Sequence, residues 1–176
     1  GSITVYKDGK PFLIDIGVES YTQKTFRPQR YEIWTMQSQW HNLPPFDGVQ
    51  QLPGAEYAAK DVITTDYSIT AELAGAYPPI KGLRSYRRSV LVDEDGITLQ
   101  DMTDWKGTVE LTLLTEQEPT PVWNGFAVGT LGGIRFDPEH VQAEVTPVSV
   151  TDPRLRTAWP ETIYKITLHF KKNLYL

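Results

Sequence analysis

The chain has 176 residues and a mass of 20.0 kDa, with 17 Lys plus Arg against 22 Asp plus Glu, a net charge of −5. A chain of this length can bury a core as one domain, its 40% hydrophobic content excludes disorder, and its negative balance argues against a general nucleic-acid partner. It has no cysteine, hence no disulfide, thiolate metal site or cysteine nucleophile, and no apolar run nears the roughly 20 residues of a membrane-crossing helix.

Gly1-Ser2 reads as an artificial start or as a cut within a larger protein, because a strand-like segment, Ile3–Tyr6, follows at once. Lys7-Asp8-Gly9-Lys10 predicts a turn, and Pro11–Ile16 resumes the strand, so the first element is a hairpin. A long aromatic loop follows, with a turn or two of helix expected within Arg27–Met36 because Pro28 stands near its start. Short strands are expected at 48–52, 58–64 and 67–73, with 71–76 passing from strand to loop. A second hairpin joins 86–92 to 97–102 across Asp93-Glu94-Asp95-Gly96. Strands at 109–114, 122–128, 133–136, 141–150 and 163–170 complete the series. Roughly ten to twelve strands at this spacing predict an all-β fold, a single-domain antiparallel β-sandwich over residues 1–176.

Several residues are candidates for chemistry, each with a plainer alternative. Asp15 ends the apolar Phe12-Leu13-Ile14 run, where an aspartate before Gly17 also serves simply to cap a turn. His41, between Trp40 and Asn42, is equally a half-buried histidine bonded to nearby backbone. Together, an aspartate and a histidine are two of the three protein ligands a zinc ion commonly takes. His140 and His169 are poor choices for the third, the first in an exposed turn and the second in an alternating strand. Tyr21, Phe26, Tyr31, Trp34 and Trp40 are interleaved with Gln23, Lys24, Arg27, Gln37 and Gln39. Aromatic faces stack on sugars while amides and cations bind hydroxyl and acidic groups, so the mixture suits a carbohydrate cleft. A long loop also needs aromatics for a small core of its own. The cations of "KGLRSYRR" (Lys81, Arg84, Arg87, Arg88) read as ordinary surface, since Arg87 and Arg88 point to opposite faces of a strand. No serine–histidine–acid set is recognisable, and "GTLGG" lacks the strand-to-helix setting of a phosphate loop.

The stretches "VYKDGKPFLIDIGVESYTQKTF", "RYEIWTMQSQWHNLP" and "DGVQQ" resemble the heparinase II/III-like family of polysaccharide lyases, as do "AYPPIKGLRSYRRSVLV", "VELTLLTEQEP" and "WPETIYKITL" further on. The resemblance covers nearly the whole chain and implies the C-terminal β-sandwich of such a lyase, without the N-terminal α/α toroid that completes the substrate cleft. It implies β-elimination on an acidic polysaccharide containing uronic acid, and a periplasmic or secreted enzyme. It matches Asp15 and His41 to two ligands of a structural zinc whose third ligand, a histidine, lies upstream of this chain. It makes Asn42 a supporting residue, and Tyr21, Arg27, Trp34, Gln37 and Trp40 candidates for substrate contact. Catalytic groups are expected from the toroid, so this chain alone is expected to be inactive. The rival expectation is a carbohydrate-binding or structural sandwich that never had a catalytic partner.

Overall fold

The computed structural model describes residues 1–176, and its regular elements are thirteen antiparallel strands and short 3-10 turns. The first hairpin pairs β1 (Val5–Lys7) with β2 (Lys10–Leu13). Its turn residues Asp8 and Gly9 have φ of 53° and 75°, the left-handed pair whose twist matches that of the flanking strands. Next come β3 (Lys60–Thr64), β4 (Ser68–Glu72), β5 (Tyr86–Asp93) and β6 (Gly96–Thr103). They are followed by β7 (Val109–Thr115), β8 (Pro119–Val122), β9 (Gly125–Val128) and β10 (Gly132–Arg135). The last are β11 (Gln142–Ser149), β12 (Thr162–Phe170) and β13 (Asn173–Tyr175).

A five-stranded sheet in the order β13-β6-β5-β4-β3 faces a three-stranded sheet β11-β12-β7, and a smaller sheet β10-β9-β8 closes one side. Between them lies the main core, with Tyr86 and Leu99 from the first sheet, Leu111, Leu113, Ile166 and Leu168 from the second, and Phe126 and Ile134 from the third. β2 continues the second sheet beyond its pairing with β1, because the Ile14 amide donates to the Leu114 carbonyl at 2.9 Å.

The expected strand at 48–52 is absent. Asp47 and Gly48 both have positive φ, so the chain reverses there and leaves only a Phe46–Val49 bridge. The expected strand at 122–128 is two, β8 and β9, hinged at Trp123-Asn124. Gly125 makes this possible, since a Cβ there would collide with the Ile134 carbonyl oxygen. The helical turns within Arg27–Met36 are 3-10, at Pro28–Glu32 and Trp34–Met36, and the extended β-branched Ile33 between them prevents a continuous helix. β13 has no counterpart among the predicted strands.

A second, smaller core decides where the aromatic loop sits. Leu114 and Ile163 point to the outer face of the three-stranded sheet, where they meet Ile14, Ile16, Val150 and Leu155. Trp34, Trp40 and Trp159 pack over this cluster. β7 is therefore covered on both faces, which is why "VELTLLT" lacks the alternation of a half-solvated strand. No helix of the chain is long and apolar enough to cross a membrane.

Candidate functional site: the aromatic loop and its anchor

The loop from Gly17 to Pro45 is held at its two ends by Asp15 and His41, and the fold brings these two together. The Asp15 carboxylate accepts from the Gly17 amide at 2.9 Å through Oδ1, capping the turn that opens the loop. Its Oδ2 accepts from His41 Nδ1 at 2.7 Å, and His41 Nε2 donates to the Thr35 carbonyl at 2.9 Å. A carboxylate and a carbonyl can only accept, so both ring nitrogens carry protons and the pair is an imidazolium facing a carboxylate. The titration shifts agree. The Asp15 bond raises the His41 pKa above its ordinary value against the opposing effect of burial, aided by the Asp15 charge and the Thr35 carbonyl. Burial pushes Asp15 upward, but its bonds to His41 and Gly17 and the His41 charge outweigh burial and hold it below the usual carboxylate range.

Asn42 continues the anchor inward. It is fully buried and left-handed, with φ of 56°. Its Nδ2 donates to the carbonyls of Ile3 at 2.7 Å and Ile14 at 2.9 Å, and its Oδ1 accepts from the Leu114 amide at 2.9 Å. One side chain thus ties the segment entering β1, the end of β2 and β7 to the residue after His41.

Beneath it lies Arg88, which is buried and not, as expected from the sequence, part of the ordinary surface. Arg88 is 4% exposed, and its Nε and Nη2 grip both oxygens of buried Asp101 at 2.8 and 2.7 Å. Its Nη1 donates at 2.8 Å to the carbonyls of Gly1 and Asn42. Burial alone would push the guanidinium toward neutrality, but the Asp101 charge outweighs it and raises its pKa. Tyr86 adds a hydroxyl bond to Asp101 at 3.0 Å, and burial keeps that phenol protonated by raising its pKa. Arg87, its neighbour on the strand, does point outward, as alternation requires. What strand periodicity could not reveal is that the inner arginine has a carboxylate waiting across the β5–β6 register, at Arg88↔Asp101.

The five residues nominated for substrate contact fall into two groups. Tyr21 and Arg27 are exposed and, with Thr25, Phe26, Arg30 and Met36, line a shallow groove of about 620 Å³. Tyr21 is 60% and Phe26 77% exposed, edge to face with centroids 5.6 Å apart, and the Arg154 guanidinium lies 4.5 Å from the Tyr21 ring centroid. Ser20, bonded to Asp152, brings that turn alongside. Lys24 is paired with Glu32, whereas Arg27, Arg30 and Arg154 form no side-chain ion pair. In the sequence Phe26 stands out only as one of the loop's aromatics, and no local pattern marks Arg30 or Arg154. Arg154 could not have been found, because it reaches the groove from a turn more than a hundred residues away.

Trp34 and Trp40 instead face inward. Their rings stack edge to face at 4.8 Å over the second core, Trp34 Nε1 donates to Glu19, and the Lys165 ammonium lies 5.1 Å from the Trp40 ring. Gln37 is spent within the loop, its amide donating to the Tyr31 carbonyl and accepting from Gln39. In these positions the tryptophans supply the loop's own small core.

Of the ligands that the resemblance implies for zinc, this chain supplies Asp15 and His41, whose side chains meet at 2.7 Å. Zinc needs an unprotonated ring nitrogen, and both His41 nitrogens are donating. No group of three or more His, Asp or Glu side chains within this chain is placed to hold a metal, so an ion at this pair would need a further ligand from elsewhere. His140 bonds Asp137 at 2.8 Å and His169 lies between Glu110 and Glu144, both beside a separate groove of about 800 Å³. That groove is the larger of the two, but its lysines and acids face open solvent, and none of the nominated residues lines it.

No protein-family model matches the chain, and no curated protein is significantly similar to it.

Proposed function

We propose that this chain is the β-sandwich module of a heparinase II/III-like polysaccharide lyase, forming one wall of a cleft for an acidic, uronate-containing glycan. The observation that carries this reading is the groove at Tyr21, Phe26, Arg27 and Arg30, flanked by Arg154, where exposed rings stand beside guanidinium groups with no acidic partner. Ring faces stack on sugar C–H surfaces, and a guanidinium binds carboxylate or sulfate in a two-pronged fashion. Such local cationic chemistry on a chain of net charge −5 suits an anionic ligand. The residue likeness described above supplies the second support.

In β-elimination a base removes the proton at C5 of the uronate, and an acid protonates the departing glycosidic oxygen at C4. Neutralising the uronate carboxylate acidifies that C5 proton and is the main electrostatic task. Within this reading Arg27 and Arg30 serve that task or hold neighbouring acidic sugars. His41 is no base while both its nitrogens donate. In this reading the base and acid come from a partner α/α toroid domain, in a periplasmic or secreted enzyme.

The test is affinity electrophoresis against glycosaminoglycans and alginate, with ultraviolet detection of unsaturated uronate. The expected result is retardation of the chain that weakens in Arg27→Ala/Arg30→Ala, with product formed only when the toroid is joined. Product from the chain alone would overturn the non-catalytic role. Indifference to every acidic polysaccharide would overturn the glycan-facing wall. The groove lies wholly within this chain, which favours as second reading a non-catalytic carbohydrate-binding module. Binding retained while the toroid-linked protein stays inactive would select it.

A further inference from the structure

We propose that Asn42 and Arg88 are positioning residues for the loop, holding the Asp15–His41 pair in register from inside the sandwich. Two observations support this assignment. The pair itself is only half-buried, and a single partly solvated ion pair holds little on its own. The residue immediately after His41 makes three side-chain bonds, two of them buried, one of these to the carbonyl of Ile14, the residue immediately before Asp15. His41 and Asp15 are thus joined twice, once through their side chains and once through Asn42 and Ile14.

Arg88 fixes the other side of this link. Its Nη1 accounts for the Asn42 carbonyl, and its grip on Asp101 ties that carbonyl to the middle of the five-stranded sheet. The loop's place is thereby tied to the five-stranded sheet as well as to the three-stranded sheet that it covers. A left-handed Asn42 at φ 56° is the backbone feature that lets one residue present its carbonyl to Arg88 and its amide group to Ile3 and Ile14. The purpose of this device rests on the proposed lyase module, whose groove is carried by the same loop, while its geometry is independent of that reading.

The experiment reads the His41 ring proton on Nδ1 by nuclear magnetic resonance, where a proton held against a carboxylate resonates at low field. In Asn42→Gly, which tolerates the left-handed backbone and keeps the carbonyl for Arg88, exchange of this proton with water should rise by at least about tenfold. A folded Asn42→Gly with unchanged exchange overturns the proposal. Arg88→Lys keeps the charge opposite Asp101 but loses the fork, and should raise the same exchange rate. The unaltered chain provides a reading that needs no variant: the Asn42 side-chain amide and the His41 ring proton should open together, with the same dependence on urea. Independent opening would overturn the proposal even if neither variant folds. Loss of glycan binding or lyase activity with this coupling intact removes the proposed function and leaves the positioning role; uncoupled exchange in a glycan-binding chain does the reverse.

Discussion

Arg88 and Asp101 face each other across neighbouring strands as a two-pronged ion pair at 2.8 and 2.7 Å, with side chains only 4% and 1% exposed. Such a pair contributes little net stability compared with well-packed apolar residues, but breaking it leaves a buried charge unpaired. Arg88→Met or Asp101→Asn should therefore each cost about 3–5 kcal/mol, measured as a fall in the urea midpoint with unchanged slope. An Arg88→Met/Asp101→Leu double variant should recover part of that loss. Recovery stays incomplete because the Asn42 carbonyl and the Tyr86 hydroxyl lose their partners. Single variants as stable as the unaltered chain would contradict the buried pair.

The Asp15–His41 pair predicts a stability optimum in pH. His41 has a folded pKa raised above its ordinary 6.5, so its contribution is fully present below that value and is lost as pH rises through the folded pKa. Asp15 has a folded pKa lowered from 3.8, so its contribution is present above that value and is lost as pH falls through the folded pKa. The pair should support the fold best between these limits. His41→Ala should remove the upper limb of the stability curve and weaken the lower one, and Asp15→Asn the reverse, because each group's shift depends on its partner. Urea midpoints collected across pH check this, and parallel curves for all three proteins would contradict it.

The loop's aromatic residues should separate by role. Trp40→Ala opens the second core beneath Trp34 and Leu114 and should cost about 2–3 kcal/mol, less than a fully enclosed tryptophan because Trp40 is half-buried. Tyr21→Ala and Arg27→Ala remove exposed side chains and should change stability by no more than about 0.5 kcal/mol. Their effect should fall on polysaccharide retardation and its salt dependence. Equal stability losses in both groups would mean that the groove residues, too, are packing residues.

Zinc should add little to the melting temperature of this chain, because an ion would have to displace a proton and a hydrogen bond from His41. Melts with zinc and with a chelator should coincide near neutral pH. A stabilisation by zinc that disappears in both Asp15→Ala and His41→Ala would instead place the ion at this pair.

The hairpins were legible because local chemistry decides them. Asp8-Gly9 adopts the left-handed turn whatever lies around it, and the alternation of β5 and β6 fixes their two-residue connection. Legibility failed where a residue's environment comes from far along the chain. "VELTLLT" reads as one strand, yet nothing in it says that Trp34 and Trp40 will cover its second face. "GVQQL" has residues suited to a strand, but the Asp47-Gly48 reversal turns the chain back at once and leaves it a bridge.

The sequence by itself determined an antiparallel all-β sandwich, its main turns, and Asp15 and His41 as residues worth watching, because period-two patterning and turn residues act within a few positions. Only the tertiary structure decided that the two close on each other as an ion pair, that Arg88 is buried, and that Tyr21 and Arg27 face solvent while Trp34 and Trp40 are half-buried over the second core. Burial and pairing depend on which surfaces meet when the sheets stack, and that meeting joins residues such as Asn42 and Leu114, or Tyr21 and Arg154, that no local pattern connects.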